Sequence, residues 1–90
     1  MNKNEVIKEI ALKRGISVES TKGILNDFIE LIGDKMEQRE KVQVSGFGTF
    51  KARFINEKII RNPSTGEKVV VPAHYAPRFV PAKRLKKKIG

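Results

Sequence analysis

The hydrophobic pattern of this 90-residue chain changes its period once, near Val42. Before that point, apolar residues recur every three or four positions, which is the spacing of one face of a helix. From Val42 onward, apolar and polar residues alternate, which is the spacing of a half-buried strand. This order of patterns predicts an α+β fold in which a helical hairpin precedes an antiparallel sheet.

Two helices are predicted in the first part of the chain. Asn2 and Glu5 have the spacing of a capping box, and Gly15 is suited to end the first helix. Ser17 is suited to cap a second, longer helix. The apolar stripe of that helix is broader than one short helix can cover, so we expect a partner subunit. The stripe consists of Leu25, Phe28, Ile29, Ile32 and Met36.

Three body strands are predicted after the helices. Val42 and Val44 belong to the first, and Phe50 and Phe54 share one face of the second. The third is expected at residues 78–80, and Pro81 is then expected in the first turn of a short C-terminal helix.

Residues 61–66, Arg-Asn-Pro-Ser-Thr-Gly, are typical of a tight turn, because proline fixes φ and glycine accepts a positive φ. Strand-like runs flank this turn at 54–60 and 67–71, which predicts a β-hairpin arm over about residues 54–74. A two-stranded ribbon alone is only marginally stable in water. The arm therefore needs a partner outside the chain.

The charge of the chain indicates what that partner is. Residues 1–45 hold eight Lys and Arg against eight Asp and Glu, whereas residues 46–90 hold eleven against two, so the whole net charge of +9 lies in the second half. Such one-sided basicity is typical of a protein that binds a polyanion, with DNA or RNA ahead of an anionic membrane.

Several other classes of function find little support in the sequence. No apolar run approaches the roughly 20 residues that span a bilayer, and the N-terminus lacks the apolar segment of a secretion signal. The chain has no cysteine and a single histidine, His74, which we expect at the surface or in a hinge. We therefore expect no enzyme activity, metal, cofactor, small-molecule substrate or membrane partner, and a cytoplasmic location.

Three motifs follow one another along the second half of the chain. They are Gly-Phe-Gly-Thr-Phe at 46–50, Arg-Asn-Pro-Ser-Thr-Gly at 61–66, and Phe-Val-Pro-Ala-Lys-Arg-Leu-Lys at 79–86. With them, essentially the whole chain resembles the bacterial histone-like DNA-binding proteins, HU and integration host factor, and it is closer to HU. The resemblance implies one domain: a helical dimerisation base at 1–40, and a sheet, arm and C-terminal helix, about 82–89, within 41–90. It also implies an intertwined homodimer whose arms embrace duplex DNA in the minor groove, with a proline wedge at Pro63.

The function that the resemblance implies is architectural. Such a protein binds DNA with little sequence specificity, bends and compacts it in the nucleoid, and favours bent, nicked or gapped DNA. The sequence departs from the family pattern at Ile60 and Ala82, where glycine is usual, and at Ile55, which is often basic.

Candidate DNA-binding residues follow from charge and position. Arg61 and Asn62 directly precede Pro63 and are suited to the minor groove, whose hydrogen-bond pattern is degenerate. The backbone at Gly46 is suited to hold an anion, and the remaining candidates are cations for phosphates. These cations are Lys3, Lys51, Arg53, Lys58, Lys68, Lys83, Arg84 and Lys86.

Three alternatives remain open from the sequence. The first is a site-preferring protein like integration host factor, and the second is a basic RNA-binding protein. The third is a helix-turn-helix regulator, but its recognition helix would lie in the half of the chain that carries no net charge.

Overall fold

The computed structural model describes all residues from Met1 to Gly90 and confirms the α+β class. The elements are α1 (Lys3–Arg14), α2 (Val18–Glu37), β1 (Val42–Val44), β2 (Gly48–Ile55), β3 (Lys58–Arg61), β4 (Lys68–Val71), β5 (His74–Pro81) and α3 (Lys83–Ile89). The chain divides into two compact units, Met1–Asp34 and Lys35–Gly90.

The helix boundaries in the first unit follow the predicted caps. The side-chain oxygen of Asn2 accepts a hydrogen bond from the backbone N–H of Glu5 at 3.0 Å. Gly15 closes α1 with a φ of 67°, a left-handed conformation that favours glycine. Ser17 Oγ accepts a hydrogen bond from the N–H of Ser20 at 3.0 Å, as expected for the N-cap of α2.

The first unit buries few side chains. Ile7, Ala11 and Ile32 are its buried apolar residues, and Thr21 is buried with its hydroxyl donating to the Ser17 carbonyl at 2.9 Å. The remaining large apolar side chains of α2 are mostly exposed, so the chain alone leaves much apolar surface in water. The exposed ones include Ile24, Phe28, Ile29 and Leu31.

The second unit contains a three-stranded antiparallel sheet, which we call the body sheet, with strand order β1-β2-β5. Phe50 lies opposite Phe79, and Phe54 lies opposite Tyr75. Directly paired residues share a face, so these four aromatic side chains lie on one apolar face. The rings of Phe50 and Phe79 are 4.8 Å apart between centroids, and Phe47 lies 5.0 Å from Phe79.

Gly48 is required by this packing. A Cβ atom at Gly48 would lie 2.5 Å from the Phe79 ring and 2.7 Å from the Val80 carbonyl oxygen. The glycine therefore lets the aromatic cluster pack directly on the backbone of β2.

The predicted continuous strand at 54–60 is wrong. The pairing of β2 with β5 ends at Ile55 and His74, and the pairing of β3 with β4 begins at Lys58 and Val71. Pro72 lies in the gap and has no N–H to donate to the ladder, so the sheet is interrupted there. The Pro72 carbonyl instead accepts a hydrogen bond from Nδ1 of His74 at 3.1 Å.

Two predictions about the last part of the chain also need correction. The third body strand is not confined to 78–80 but begins at His74 and includes Pro77. It pairs only with β2, and proline is tolerated in such an edge strand. Pro81 is the last residue of β5 and does not lie in the first turn of α3, which has Ala82 as its N-cap.

β3 and β4 form a separate two-stranded sheet, which we call the ribbon. The predicted turn closes it: the N–H of Asn62 donates to the Glu67 carbonyl, and the N–H of Gly66 donates to the Asn62 carbonyl, both at 2.8 Å. Gly66 has a φ of 72°, which explains the glycine at this position. The ribbon strands contact each other and make no extensive contact with another element.

Candidate nucleic-acid interface

The body sheet has a basic face opposite its aromatic face. Lys51 and Arg53 alternate with Phe50 and Phe54 along β2, so they lie on this second face. Lys51 is paired directly with Arg78 of β5, and all three cationic residues are exposed. Like charges directly opposite each other destabilise a sheet, so this arrangement favours an anion bound between them.

Arg78 is a candidate that the sequence reasoning missed. The predicted strand at 78–80 contained the signal, because Arg78 precedes the inward-facing Phe79 and must lie on the other face. What the sequence did not provide is the register that places Arg78 opposite Lys51.

The ribbon carries cations at both ends. Arg61 is paired directly with Lys68 next to the turn, and Lys58 lies at the other end of β3. All three are exposed. The Arg61–Lys68 pair is a second case of like charges held opposite each other, which again favours an anionic partner.

Pro63 lies exposed in the turn at the tip of the ribbon. The preceding Asn62 is half-buried, and its side-chain oxygen accepts a hydrogen bond from the N–H of Ser64 at 2.9 Å. Asn62 therefore stabilises the turn through its oxygen and keeps its amide NH₂ group to donate to a ligand. The turn thus holds a rigid apolar ring beyond the last paired residues.

A further group of cations surrounds Gly46. Gly46 has a φ of 79°, and a Cβ atom there would lie 3.4 Å from the Arg84 side chain. The N–H of Ala82 donates to the Phe47 carbonyl at 2.9 Å, which fixes the start of α3 beside this turn. A shallow depression results, lined by Gly46, Phe47, Arg84, Leu85, Lys87 and Lys88.

The structure therefore brings together some candidates and separates others. Gly46 and Arg84 share the depression, whereas Lys83 and Lys86 lie elsewhere on α3 and do not line it. Lys3 is the first residue of α1 and belongs to the other compact unit. Lys87 and Lys88, which were not among the candidates from the sequence, line the depression.

Comparison with known proteins assigns the family. The sequence model described as "Bacterial DNA-binding protein" matches residues 1–90. The chain belongs to this family. It is 41% identical over 86 residues to the SPbeta prophage-derived DNA-binding protein HU 2 of Bacillus subtilis, covering 96% of this chain and 94% of the relative. It is also 33% identical over 91 residues to the integration host factor β subunit of Histophilus somni, covering 100% and 97%.

The family assignment extends to the fold. The structure is similar to HU in the Anabaena HU–DNA cocrystal structure, with a TM-score of 0.93 and 31% identity, covering 100% of this chain and 98% of that one. Membership of the family accounts for the basic face, the ribbon and the motif at 61–66 together. None of the three helices is long and apolar enough to cross a bilayer.

Proposed function

We propose that this protein is an architectural DNA-binding protein of the nucleoid. As a homodimer it binds duplex DNA in the minor groove with little sequence specificity, and it bends and compacts the DNA without catalysing a reaction. The observation that carries this proposal is the exposed basic face on which Lys51 lies directly opposite Arg78. Phosphate groups are the partner that removes this repulsion, and phosphate contacts do not depend on sequence.

Exposed apolar surface in both units supports the homodimer. Phe28 is 42% exposed, Phe47 is 42% exposed and Phe79 is 37% exposed, although each belongs to an apolar face or cluster. A small domain with so little buried surface is commonly completed by a second copy. We propose that residues 1–40 form the dimerisation base and that 41–90 carry the DNA-binding surface, with the arm at about 54–74.

Phosphate contacts hold the DNA against the protein. On the body sheet and ribbon these contacts are proposed for Lys51, Arg53, Arg78, Lys58 and Lys68. Around α3 and in the helical unit they are proposed for the backbone of Gly46 and for Lys83, Arg84, Lys86 and Lys3.

Bending is assigned to the tip of the ribbon. An apolar ring such as that of Pro63 replaces base stacking at one opened step without leaving a polar group unpaired. Unstacking costs a few kcal/mol, and bending a short site by about 40–90° costs about 1–6 kcal/mol more. Arg61 and the amide of Asn62 bind at the groove beside the opened step, and the phosphate contacts offset the remaining cost.

The test is the bend angle of a short duplex, measured by fluorescence transfer between dyes at its two ends. The wild-type protein is expected to bring the ends closer, and Pro63→Ala to lose most of this effect while keeping most of its non-specific affinity. Ser64→Ala is the matched control, because Ser64 is the neighbouring exposed residue of the same turn. Equal bending by wild type and Pro63→Ala would exclude the wedge.

A site-preferring protein is the second candidate, and the similarity to an integration host factor β subunit favours it. Competition between many unrelated duplexes of equal length separates the two functions. Our proposal expects affinities that follow how easily each duplex bends, so nicked and gapped DNA should bind best. One duplex preferred about 10³-fold over the others would instead indicate site-specific binding.

RNA binding is tested with matched duplexes of DNA and RNA. The basic face of the body sheet has no exposed Phe, Tyr or Trp side chain for stacking unpaired bases, and His74 is its one exposed aromatic ring. A clear preference for RNA would contradict the proposal.

A further inference from the structure

Arg39, which lies between α2 and β1, is the one residue other than glycine with a positive φ, at 63°. It belongs to the turn that ends α2. Its N–H donates to the Met36 carbonyl at 3.0 Å, and the N–H of Glu40 donates to the Lys35 carbonyl at 2.9 Å. This position of such a turn usually holds glycine, because a Cβ atom is unfavourable in the left-handed conformation. An arginine here indicates that its side chain has a role that offsets the backbone strain.

The Arg39 side chain lies against an aromatic ring of the body sheet. Its guanidinium carbon is 3.7 Å from the centroid of the Tyr75 ring, which is a close cation–π contact. Its Nη1 atom donates a hydrogen bond to the Glu37 carbonyl at 2.9 Å. Two contacts therefore hold a side chain that otherwise lies in water.

Tyr75 lies near the end of the body sheet that precedes the ribbon. It is paired with Phe54, and their ring centroids are 5.2 Å apart. One pair further on, Ile55 and His74 end the body sheet. β1 pairs only with Gly48–Phe50, so β2 and β5 have no third strand at this end. Phe54 and Tyr75 are also 53% and 48% exposed, so this end of the sheet is weakly packed.

We propose that Arg39 is a positioning residue that closes the body sheet at the root of the ribbon. The root consists of the pairs Phe54–Tyr75 and Ile55–His74. Because the ribbon is marginally stable, its opening tends to spread into the root. Arg39 is held at the end of α2, so detachment of β5 from β2 withdraws the Tyr75 ring from the guanidinium. The contact makes opening of the root less favourable.

The position of Arg39 separates this role from direct phosphate binding. Tyr75 and Phe54 lie on the aromatic face of the body sheet, opposite the face of Lys51 and Arg78. A guanidinium over the Tyr75 ring is therefore on the other side of the sheet from the proposed phosphate contacts. Loss of Arg39 should leave the salt dependence of DNA affinity unchanged.

The consequence for DNA concerns bending, and this part of the inference rests on the proposed function. The ribbon makes no extensive contact with another element, so a bend produced at its tip pulls on the root. If the root opens, the two strands of the protein separate and the DNA stays straighter. An intact duplex resists bending more than a gapped one, so it depends more on a closed root.

Amide hydrogen exchange of the free protein tests the closing contact without DNA. Arg39→Gly removes the side chain and supplies the residue that fits the backbone, so the global free energy of unfolding should not fall. Exchange at residues 52–55 and 74–76 should nevertheless rise about two- to fivefold, as expected for loss of an exposed cation–π contact. Arg39→Gln, which keeps a side chain without the cation, should show the same rise.

The matched control is Lys41→Gln, which removes a neighbouring exposed cation and should leave this exchange unchanged. Tyr75 supplies a second signal, because it is the only tyrosine and the chain has no tryptophan. The guanidinium covers one face of its ring. Acrylamide should therefore quench the emission of Tyr75 more strongly in Arg39→Gly than in the wild type or in Lys41→Gln.

Fluorescence transfer between the ends of a short duplex tests the effect on bending. With Arg39→Gly, the ratio of bent to straight complexes on an intact duplex should fall about two- to fivefold. A gapped duplex, which bends easily, should be bent as it is by the wild type. Lys41→Gln should bend both duplexes normally.

The contrary results are distinct. Unchanged exchange at residues 52–55 and 74–76 in both Arg39 variants would overturn the closing role, whatever happens on DNA. Increased exchange with normal bending of the intact duplex would overturn the link to bending. A smaller salt slope for Arg39→Gly would show that Arg39 binds phosphate and is not a positioning residue. Failure of the wild type to bend DNA would overturn the proposed function, and the exchange result would still decide the closing contact.

Discussion

The body sheet and the ribbon are both antiparallel, yet they distribute apolar and charged residues differently. In the body sheet, Phe50 and Phe79 lie on one face, while Lys51 and Arg78 lie on the other. In the ribbon, Ile59 and Ile60 are exposed on opposite faces, and the cations stand at the ends of the strands. The first sheet is thus suited to protein on one side and a polyanion on the other.

The difference shows how each sheet is stabilised. The aromatic rings of the body sheet pack against one another within the chain, with centroids 4.8–6.1 Å apart. The ribbon is held by the pairing of its two strands and by the hydrogen bonds of its turn. These interactions alone leave a two-stranded ribbon only marginally stable in water. We therefore expect the body sheet to be ordered by protein contacts and the ribbon by DNA.

The largest expected effect concerns the exposed cations of both sheets. If the dimer contacts roughly six to ten phosphates, raising salt from about 50 to about 200 mM should weaken DNA binding by about 10³-fold or more. A plot of log affinity against log salt measures the slope. A flat dependence would show that phosphates do not carry the binding.

The next effect contrasts one glycine from each sheet. Gly48→Ala should lower the free energy of unfolding by about 2–3 kcal/mol, because its Cβ would meet the Phe79 ring at 2.5 Å. Gly66→Ala strains the ribbon turn by about 1 kcal/mol, since Gly66 has a positive φ.

Denaturant unfolding separates these two variants. Gly66→Ala should leave the global free energy of unfolding unchanged, because the ribbon does not stabilise the rest of the chain. A global loss from Gly66→Ala as large as that from Gly48→Ala would contradict the comparison.

A smaller effect is expected on the basic face. Lys51→Gln/Arg78→Gln should weaken DNA binding at least about tenfold on all sequences. The salt slope should fall by up to about four, because the homodimer loses two cations from each protomer. The same variant should stabilise the free protein by about 0.2–1 kcal/mol, because it removes a like-charge pair.

Lys13→Gln/Lys22→Gln removes the same charge from two exposed positions of the first unit, outside the proposed DNA contacts, and is the control. Affinity and thermal unfolding are measured for both variants. If the control changes both quantities as much as the sheet variant does, the opposed pair has no special role.

The sequence predicted the fold class and the helix caps because those signals are local. Asn2, Gly15 and Ser17 determine their boundaries through their own side chains or backbone conformation. The turn at 61–66 was predictable for the same reason. The three-motif resemblance supplied the expectation of a dimer, a proline wedge and minor-groove binding, which local signals do not contain.

The parts that sequence reasoning missed depend on pairing between distant residues. The predicted third strand began at residue 78 and left out Pro77, but β5 is an edge strand and tolerates a proline. The interruption at residues 56–57 arises because Pro72 lies across from that segment. Arg78 became a candidate only when the register placed it opposite Lys51.

Amide hydrogen exchange of the same protein, free and bound to DNA, tests the contrast between the sheets most directly. Our account predicts that β2 is protected in both states, whereas residues 56–70 exchange rapidly in the free protein and become protected on DNA. Strong protection of residues 56–70 without DNA would contradict it, because the ribbon would then be stable without the ligand that we propose orders it.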